Sequence, residues 1–536
     1  VIGHVAIVLH AHLPWVRHPE HARPLEERWL HEALWESYLP ILGMLDRLAA
    51  DGIRAPLTIS VSPPLAAMLA DGLLRRRFED HLDRLARLAA SLGGGSLLAP
   101  ALHPALASYQ ARFAEARATW DRIGGDVLGA LAAHAGEGRI DLVTTTATHA
   151  YLPGLLAEPA SIRAQLRIGL RAFERLSGVR ARGLWLPECG YDPRFASLLA
   201  AAGVGYTVLD AHGLLLASPR PRAGVFAPVL GPGGVAYFAR DPDAAREVWS
   251  RQSGYPGDPW YREFYRDVGF DLPEDALLGE VGPYGARVMT GLKLYRITGP
   301  GPHKEAYDPA AAEARAREHA RHFVDRRTAI AREAAAWSAH PILVAPFDAE
   351  LFGHWWLEGP IFLEHVLRGL DASARAQNIE ATTLAAYLAR FPATEAAAPA
   401  ASSWGEGGFG DVWAGPEAAW LWRHVHHAGR RVRDAVRRAR RADGLEGRAL
   451  DQAIRELLLL EASDWAFMLR RGEVAAYAGA RVRAHAHRAA RLSGIATGEG
   501  RAADDAAWLD AVCDRDRFLE GLSGDAIRDA FEPFPV

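Results

Sequence analysis

Ile342-Leu343-Val344-Ala345-Pro346-Phe347-Asp348-Ala349-Glu350-Leu351-Phe352-Gly353-His354-Trp355-Trp356 is a short apolar run that ends abruptly in two acidic residues and an aromatic cluster. A run of six such residues reads as a buried strand, residues 342–347, with Asp348 and Glu350 delivered at its C-terminal end. The same arrangement recurs along the first 350 residues. Strands are expected at residues 5–9, 57–61, 140–145, 183–186, 206–209 and 235–238. Polar residues follow most of them: His10 and His12 after the first, Thr148 and His149 after the third, Glu188 after the fourth, Asp210 and His212 after the fifth, Arg240 after the sixth. Amphipathic stretches at 28–50, 105–135 and 310–337 lie between. Strand–helix alternation on this scale predicts an α/β fold of parallel strands with helical crossovers, a barrel or a doubly wound sheet. In a parallel barrel every strand presents its C-terminal end on one rim, so residues far apart in sequence converge there.

Past residue 391 the pattern changes. Residues 395–403 are rich in Ala, Pro and Ser and read as a linker or surface loop, and from Pro416 onward the chain is almost entirely helical in pattern. This divides the 536 residues into a catalytic α/β region, 1–400, with an insert whose place the pattern does not fix, and a helical region, 401–536. A formal net charge of −4 gives no reason to expect nucleic acid or an anionic membrane as partner. Cys189 and Cys513 form no disulfide or zinc-knuckle pattern. No apolar stretch reaches the ~18 residues of a membrane span, and no leader-like segment stands at the start, so a cytoplasmic location is expected.

Glu188, behind Trp185-Leu186-Pro187, and Asp348 fit the requirement of a retaining glycosidase: two carboxyl groups ~5–5.5 Å apart, one nucleophilic and one protonated. Apolar neighbours raise a carboxyl pKa, and Phe347, Phe352, Trp355 and Trp356 are at hand. The chain carries 16 Trp, many beside these sites, and sugar rings offer apolar faces to such side chains. Trp404 and Trp413 are expected to be loop-borne and exposed in the Gly-rich run from Ser403 to Val412-Trp413. His10-Ala11-His12 leaves three readings open: contacts to sugar hydroxyls and carboxylates, a zinc pair completed by His149 or Asp348, or structural histidines.

With these motifs assembled, the chain resembles glycoside hydrolase family 57, in the group of α-glucan branching enzymes and their amylase-like relatives. The motifs run in order: His10-Ala11-His12-Leu13-Pro14, Gly138-Arg139-Ile140-Asp141-Leu142-Val143, Trp185-Leu186-Pro187-Glu188, the run from Phe347 to Trp356, and Glu461-Ala462-Ser463-Asp464-Trp465. The resemblance implies an incomplete (β/α)7 barrel with a small inserted subdomain and a C-terminal helical domain that closes the cleft. It implies Glu188 as nucleophile, Asp348 as acid/base, and substrate contacts from His10, His12, His149, Trp404, Trp413 and Asp464. Trp185, Arg240, Trp249, Trp260 and His354 complete the candidate binding set. No metal and no organic cofactor is implied; the expected partner is α-1,4-glucan. There is one departure. Branching enzymes of the group carry a longer, tyrosine-bearing excursion before the sixth strand, where this chain has only Val229-Leu230-Gly231-Pro232-Gly233-Gly234-Val235. That turn, with Ala239-Arg240-Asp241-Pro242 and Gly254-Tyr255-Pro256-Gly257-Asp258, resembles the amylase-like members. Less cover predicts that hydrolysis exceeds α-1,6 transfer, with true branching as the alternative. A zinc-dependent deacetylase or α-mannosidase on a similar barrel is the second alternative, and a non-catalytic glucan-binding protein the third.

Overall fold

The computed structural model describes every residue except 55, 283, 284, 300, 500, 501, 535 and 536. Eight strands are present among the described residues: β1 (Gly3–Ala11), β2 (Leu57–Val61), β3 (Ile140–Val143), β4 (Tyr206–Leu209), β5 (Val229–Leu230), β6 (Ala236–Ala239), β7 (Ile342–Asp348) and β8 (Ile379–Ala381). β1 lies between β2 and β7, and β2 pairs β3, all parallel. β4 pairs β6, also parallel. Single parallel bridges complete the circuit: Thr144 to Leu184, Gly183 to Tyr206, and Arg240 to Val344. The result is a ring of seven parallel segments, one fewer than the eight of a full (β/α)8 barrel. β1 and β2 are buried throughout and β7 is buried up to Phe347. That is why β1 and β7 read as apolar runs at residues 5–9 and 342–347, whereas β2 alternates, with Thr58 and Ser60 buried between apolar residues.

The weakest member of the ring is the fourth expected strand. Residues 183–186 form two bridges and no regular strand. A side chain at Gly183 would run into the Tyr206 ring, so glycine permits close approach, and Pro187 ends the pairing by removing a donor.

Two expected helices are interrupted. The stretch 105–135 is two helices, His103–Arg122 and Val127–Gly136. Gly124 and Gly125 take positive φ between them, and the Asp126 carboxylate accepts from Gly129 N to cap the second. The stretch 28–50 contains a π-helical turn, Leu34–Tyr38, between Glu27–Ala33 and Leu39–Ala50. This turn aims Glu36, Ser37 and Tyr38 at the loop after β7: His354 N donates to Ser37 Oγ at 3.2 Å, His354 Nδ1 pairs with Glu36, and Tyr38 donates to Glu350.

Residues 395–403 are not a loose linker. Ala396 bridges Leu230, Ala398 bridges Ser218 and Ser402 bridges Tyr191, so this strip zips along the barrel from β5 to the Glu188 loop. The turn at 229–235 also differs from expectation in place. β5 and β6 form an antiparallel hairpin through it, and it precedes the N-terminal end of β6. Arg240 and Asp348 lie at the other end of their strands. The short turn is therefore on the face opposite the rim, and its length does not itself govern access of water to the rim.

Between β6 and the long helix Pro309–Ala334, the described residues of 241–308 form an irregular insert of short helices and isolated bridges. Helices Ala419–Ala439, Gly444–Leu460, Ser463–Arg471 and Ala475–Thr497 follow the ring. Gly444–Leu460 buries most of its length, including the polar Gln452 and Glu456, and ends in an apolar run at residues 457–460. None of the described helices is long and apolar enough to cross a membrane.

Candidate active site

Register brings the first chemistry together. His10 on β1 stands opposite Ser60 on β2 and opposite Asp348 on β7, one row at the C-terminal rim. Glu188 reaches the same place from the turn after residues 183–186. Its backbone is left-handed, φ 62 and ψ 20, and Cys189 (φ 50) and His149 (φ 56) share that unusual region. Each non-glycine residue held there costs on the order of 1 kcal/mol, which surrounding contacts must over-determine.

Those contacts are visible at Glu188. Trp404 Nε1 donates to Oε2 at 2.9 Å, Ser463 Oγ donates to Oε1 at 2.8 Å, and Trp404 N donates to the Glu188 carbonyl at 3.0 Å. Burial pushes the carboxyl up to about 7 against the opposing pull of the Trp404 and Ser463 hydrogen bonds. Asp348 accepts no side-chain or backbone hydrogen bond among the described residues. Burial first, then the Glu350 and Glu188 carboxylates, push it well above the ordinary aspartate range. Glu350 is itself raised by burial, countered by hydrogen bonds from Tyr38 and from His12 N at 3.2 Å. The two carboxyls of interest thus differ in kind. Glu188 is held by two donors, whereas Asp348 has none and its neutral form is favoured.

The histidines form a stack beside them. His12 and His149 have ring centroids 3.9 Å apart, His10 and His149 4.8 Å, and Trp185 lies 5.1 Å beyond His10. His10 Nε2 and His149 Nε2 are 2.9 Å apart, His10 Nδ1 meets Ser60 Oγ at 3.2 Å, and His149 Nδ1 meets Ser463 Oγ at 2.8 Å. Burial, with neighbouring imidazoles adding to it, pushes both His10 and His149 well below the usual range. Burial alone would lower His12 too, but Asp464, 3.1 Å from Nε2, with Glu188 and Glu350, holds it above its ordinary value. Its Nδ1 lies 2.8 Å from Ser62 Oγ. Every ring nitrogen of these three histidines is therefore engaged with protein. A zinc ion takes one nitrogen per ring, so binding on His10 and His12 would displace two of these contacts. His12, His149 and Asp464 stand close enough together to offer a metal three ligand atoms, which are instead bonded within the protein.

The remaining candidates divide. Trp185 and Trp404 pack edge to face at 5.3 Å within the site. Arg240 is locked to Asp210 at 2.5 Å, Asp210 also meets His212 Nδ1 at 3.0 Å, and His212 Nε2 donates to the Gly408 carbonyl at 2.7 Å. His354 belongs to the Glu36 pocket beneath Trp355, which is 51% exposed and stacked on Phe264 at 4.6 Å. Trp249 and Trp260, 37% and 46% exposed, sit in the insert and share no hydrogen bond or ring contact with the carboxyl cluster. Trp413 overturns an expectation: it is 2% exposed, in the helix Asp411–Ala414, and stacked on Tyr151 at 5.3 Å. The glycines around it make room for packing. A side chain at Gly405 would come within 2.6 Å of the Trp413 ring, and one at Gly410 would collide with Tyr151.

Sequence reasoning missed Ser463, Ser60 and Tyr38 as members of the site. Ser463 had a signal, its place beside Asp464 in a recognised motif; Ser60 and Tyr38 had none, since each is defined by a partner remote in sequence.

Comparison with known proteins agrees with this architecture. Residues 6–281 match the family model described as glycosyl hydrolase family 57, and residues 424–524 match the one described as the C-terminal region of 1,4-alpha-glucan branching enzyme. A curated 1,4-alpha-glucan branching enzyme of Thermococcus kodakarensis is 34% identical over 92% of this chain and 73% of its own. A probable 1,4-alpha-glucan branching enzyme of Mycobacterium tuberculosis is 32% identical over 92% of each. Among solved structures, the alpha-amylase AmyC of Thermotoga maritima superposes with TM-score 0.89 at 34% identity, covering 98% of this chain and 99% of its own. The family 57 branching enzyme of Pyrococcus horikoshii superposes with TM-score 0.86 at 32% identity, covering 98% and 97%. Ring, rim carboxyls, helical region and these matches together make the chain an enzyme of glycosyl hydrolase family 57.

Proposed function

We propose that the protein cleaves α-1,4-glucan with retention of configuration, through a glycosyl-enzyme formed on Glu188. The observation that carries the reading is the contrast between the two rim carboxyls. Trp404 and Ser463 donate to Glu188 and so favour its ionised form. Asp348 holds its proton, because burial and two nearby carboxylates disfavour its charge. Environments that push a carboxyl pair apart assign nucleophile and acid. In the first half-reaction a Glu188 oxygen bonds the anomeric carbon while the Asp348 proton passes to the departing glycosidic oxygen. In the second, Asp348 takes a proton from the incoming hydroxyl, which attacks the anomeric carbon and releases Glu188. The glucan substrate is inferred from the relatives named for α-glucans.

Residues 1–400 serve as the catalytic unit and 401–536 as the unit that closes it, through Ser463 and Asp464. The site residues proposed to meet substrate are His12, Trp404 and Asp464 at the cleft, with His10 and His149 acting from behind. A cytoplasmic location is supported by the free thiols of Cys189 and Cys513.

Hydrolysis is proposed to exceed transfer. Support comes from the end-to-end match with an alpha-amylase. Branching is the second reading, favoured by the curated relatives and by the match over 424–524. Proton NMR of amylose digests separates them: reducing ends accumulating faster than α-1,6 signals support hydrolysis, and the reverse order makes the protein a branching enzyme.

A further inference from the structure

We infer that Ser463, on the helical region, is a positioning residue for the nucleophile: a one-directional hydrogen-bond chain, Ser60–His10–His149–Ser463, aims its hydroxyl at Glu188 Oε1. This rests on the retaining reading above.

Proton counting fixes the direction. An ionised carboxylate only accepts, so the single Ser463 proton points to Glu188 across 2.8 Å. Towards His149 the same oxygen must then accept, which places the His149 proton on Nδ1, 2.8 Å away. In a neutral imidazole the other nitrogen is then a bare acceptor. His149 Nε2 therefore receives the proton of His10 Nε2 across 2.9 Å. By the same count His10 Nδ1 is bare and accepts from Ser60 Oγ at 3.2 Å. Both rings must be neutral for this chain to hold, and their burial keeps them so. Every member is buried, with Ser60 and Ser463 at 0% and 2% exposure. Hydrogen bonds aligned head to tail polarise one another, and in low dielectric their end member is the strongest donor.

Consequently the hydroxyl rotor of Ser463 is not free. Were Glu188 protonated, the donor at its end of the chain would lose its charged acceptor. Ionisation of the nucleophile and docking of the helical region are thus coupled. His149 O also accepts from Ser463 N at 3.1 Å, so the same two residues are joined by backbone as well as side chain. The charged and titratable groups facing Glu188 are His12 just after β1, His149 and Tyr151 from the loop after β3, its neighbour Cys189, Asp348 from β7 and Asp464 from the helical region. Of these, none but His12 opposes its protonation by charge, which leaves Trp404 and Ser463 as the neutral donors that do so.

The test is the pH dependence of kcat and KM on maltoheptaose for Ser463→Ala, Ser463→Thr and Glu188→Gln, with unfolding monitored for each. Ser463→Ala is expected to lower kcat on the order of tenfold or more, because a hydrogen bond to an ionised group is lost. Its acidic limb in kcat/KM should move up by about one pH unit, with KM changed by less than about twofold. Ser463→Thr, which keeps the hydroxyl, should restore most of the rate and the position of the limb. Wild-type kcat and an unmoved limb in Ser463→Ala, beside an inactive Glu188→Gln, would overturn the inference alone. Wild-type turnover by Glu188→Gln would overturn the retaining reading on which it rests. If Ser463→Ala does not fold, Ser60→Ala at the far end of the chain reads the same limb: a smaller upward shift supports the inference, and none overturns it.

Discussion

Glu188→Gln should yield a protein that is both inactive and more stable, and more stable only at high pH. The carboxyl is lifted by burial from its ordinary 4.5 to about 7. A group whose folded value is raised contributes stability that is complete below its unfolded value and is lost as pH rises through the folded one. Between pH 4.5 and 7 the native protein therefore loses, at about 1.4 kcal/mol per pH unit, roughly 3 kcal/mol relative to a neutral isostere. Glutamine returns part of that. Its amide nitrogen faces one of the two donors, Trp404 Nε1 or Ser463 Oγ; the hydroxyl can turn to accept, whereas the indole cannot. A mismatch of about 1 kcal/mol is charged to this, leaving a net gain of about 2 kcal/mol above pH 7. For a chain of this length that corresponds to roughly 2 °C in Tm. The assay is calorimetric unfolding of both proteins at pH 4, 6 and 8, with amylose turnover measured on the same samples. The difference in Tm should be near zero or slightly negative at pH 4 and grow to its full value by pH 8. A difference that does not change with pH, or a variant less stable at pH 8, would refute the placement of a strained, desolvated carboxyl at this position.

Asp348→Asn should slow cleavage of natural glucan by several orders of magnitude yet act far better on a glycosyl fluoride, whose departure needs no proton; equal loss on both donors would sink the acid role. Since Asp348 must stay protonated, wild-type kcat/KM should fall as pH rises through its raised value, and Asp348→Asn should lack that basic limb. Trp413→Ala should cost about 3–5 kcal/mol of stability, as for a buried aromatic, where unchanged stability with weakened glucan binding would return it to the surface role. Gly353→Ala should abolish turnover, because Gly353 has φ +119 and a side chain there would run into the Glu36 carbonyl; normal kinetics would show that the loop after β7 tolerates rearrangement.

Much of this protein is local and therefore legible. Parallel strands buried on both faces tend to be apolar along their length, so β1 and β7 are legible as runs, β2 as a short β-branched segment, and the polar residues that follow β1 and β7 mark a rim. Glu188 and Asp348 were identifiable as ends of such runs, and the ordered motifs named the family. What failed to be legible was whatever depends on a partner. Trp413 stands among glycines, a local pattern that reads as exposure; the glycines instead vacate the volume its ring and Tyr151 occupy. The Ala/Pro/Ser strip at 395–403 has a linker's composition, yet three remote backbones pair with it. The turn at 229–235 could be measured from the chain but not placed, because only strand direction and register put it on the face away from the carboxyls. Most of all, His10 and His149 could be ligands, sugar contacts or core residues by type alone. Proton position on an imidazole is set by what its other nitrogen meets, and those partners, Ser60 and Ser463, lie 50 and 314 residues away. Sequence determines which groups carry chemistry; tertiary structure decides desolvation and proton direction, because both are properties of neighbours that the chain brings together only by folding.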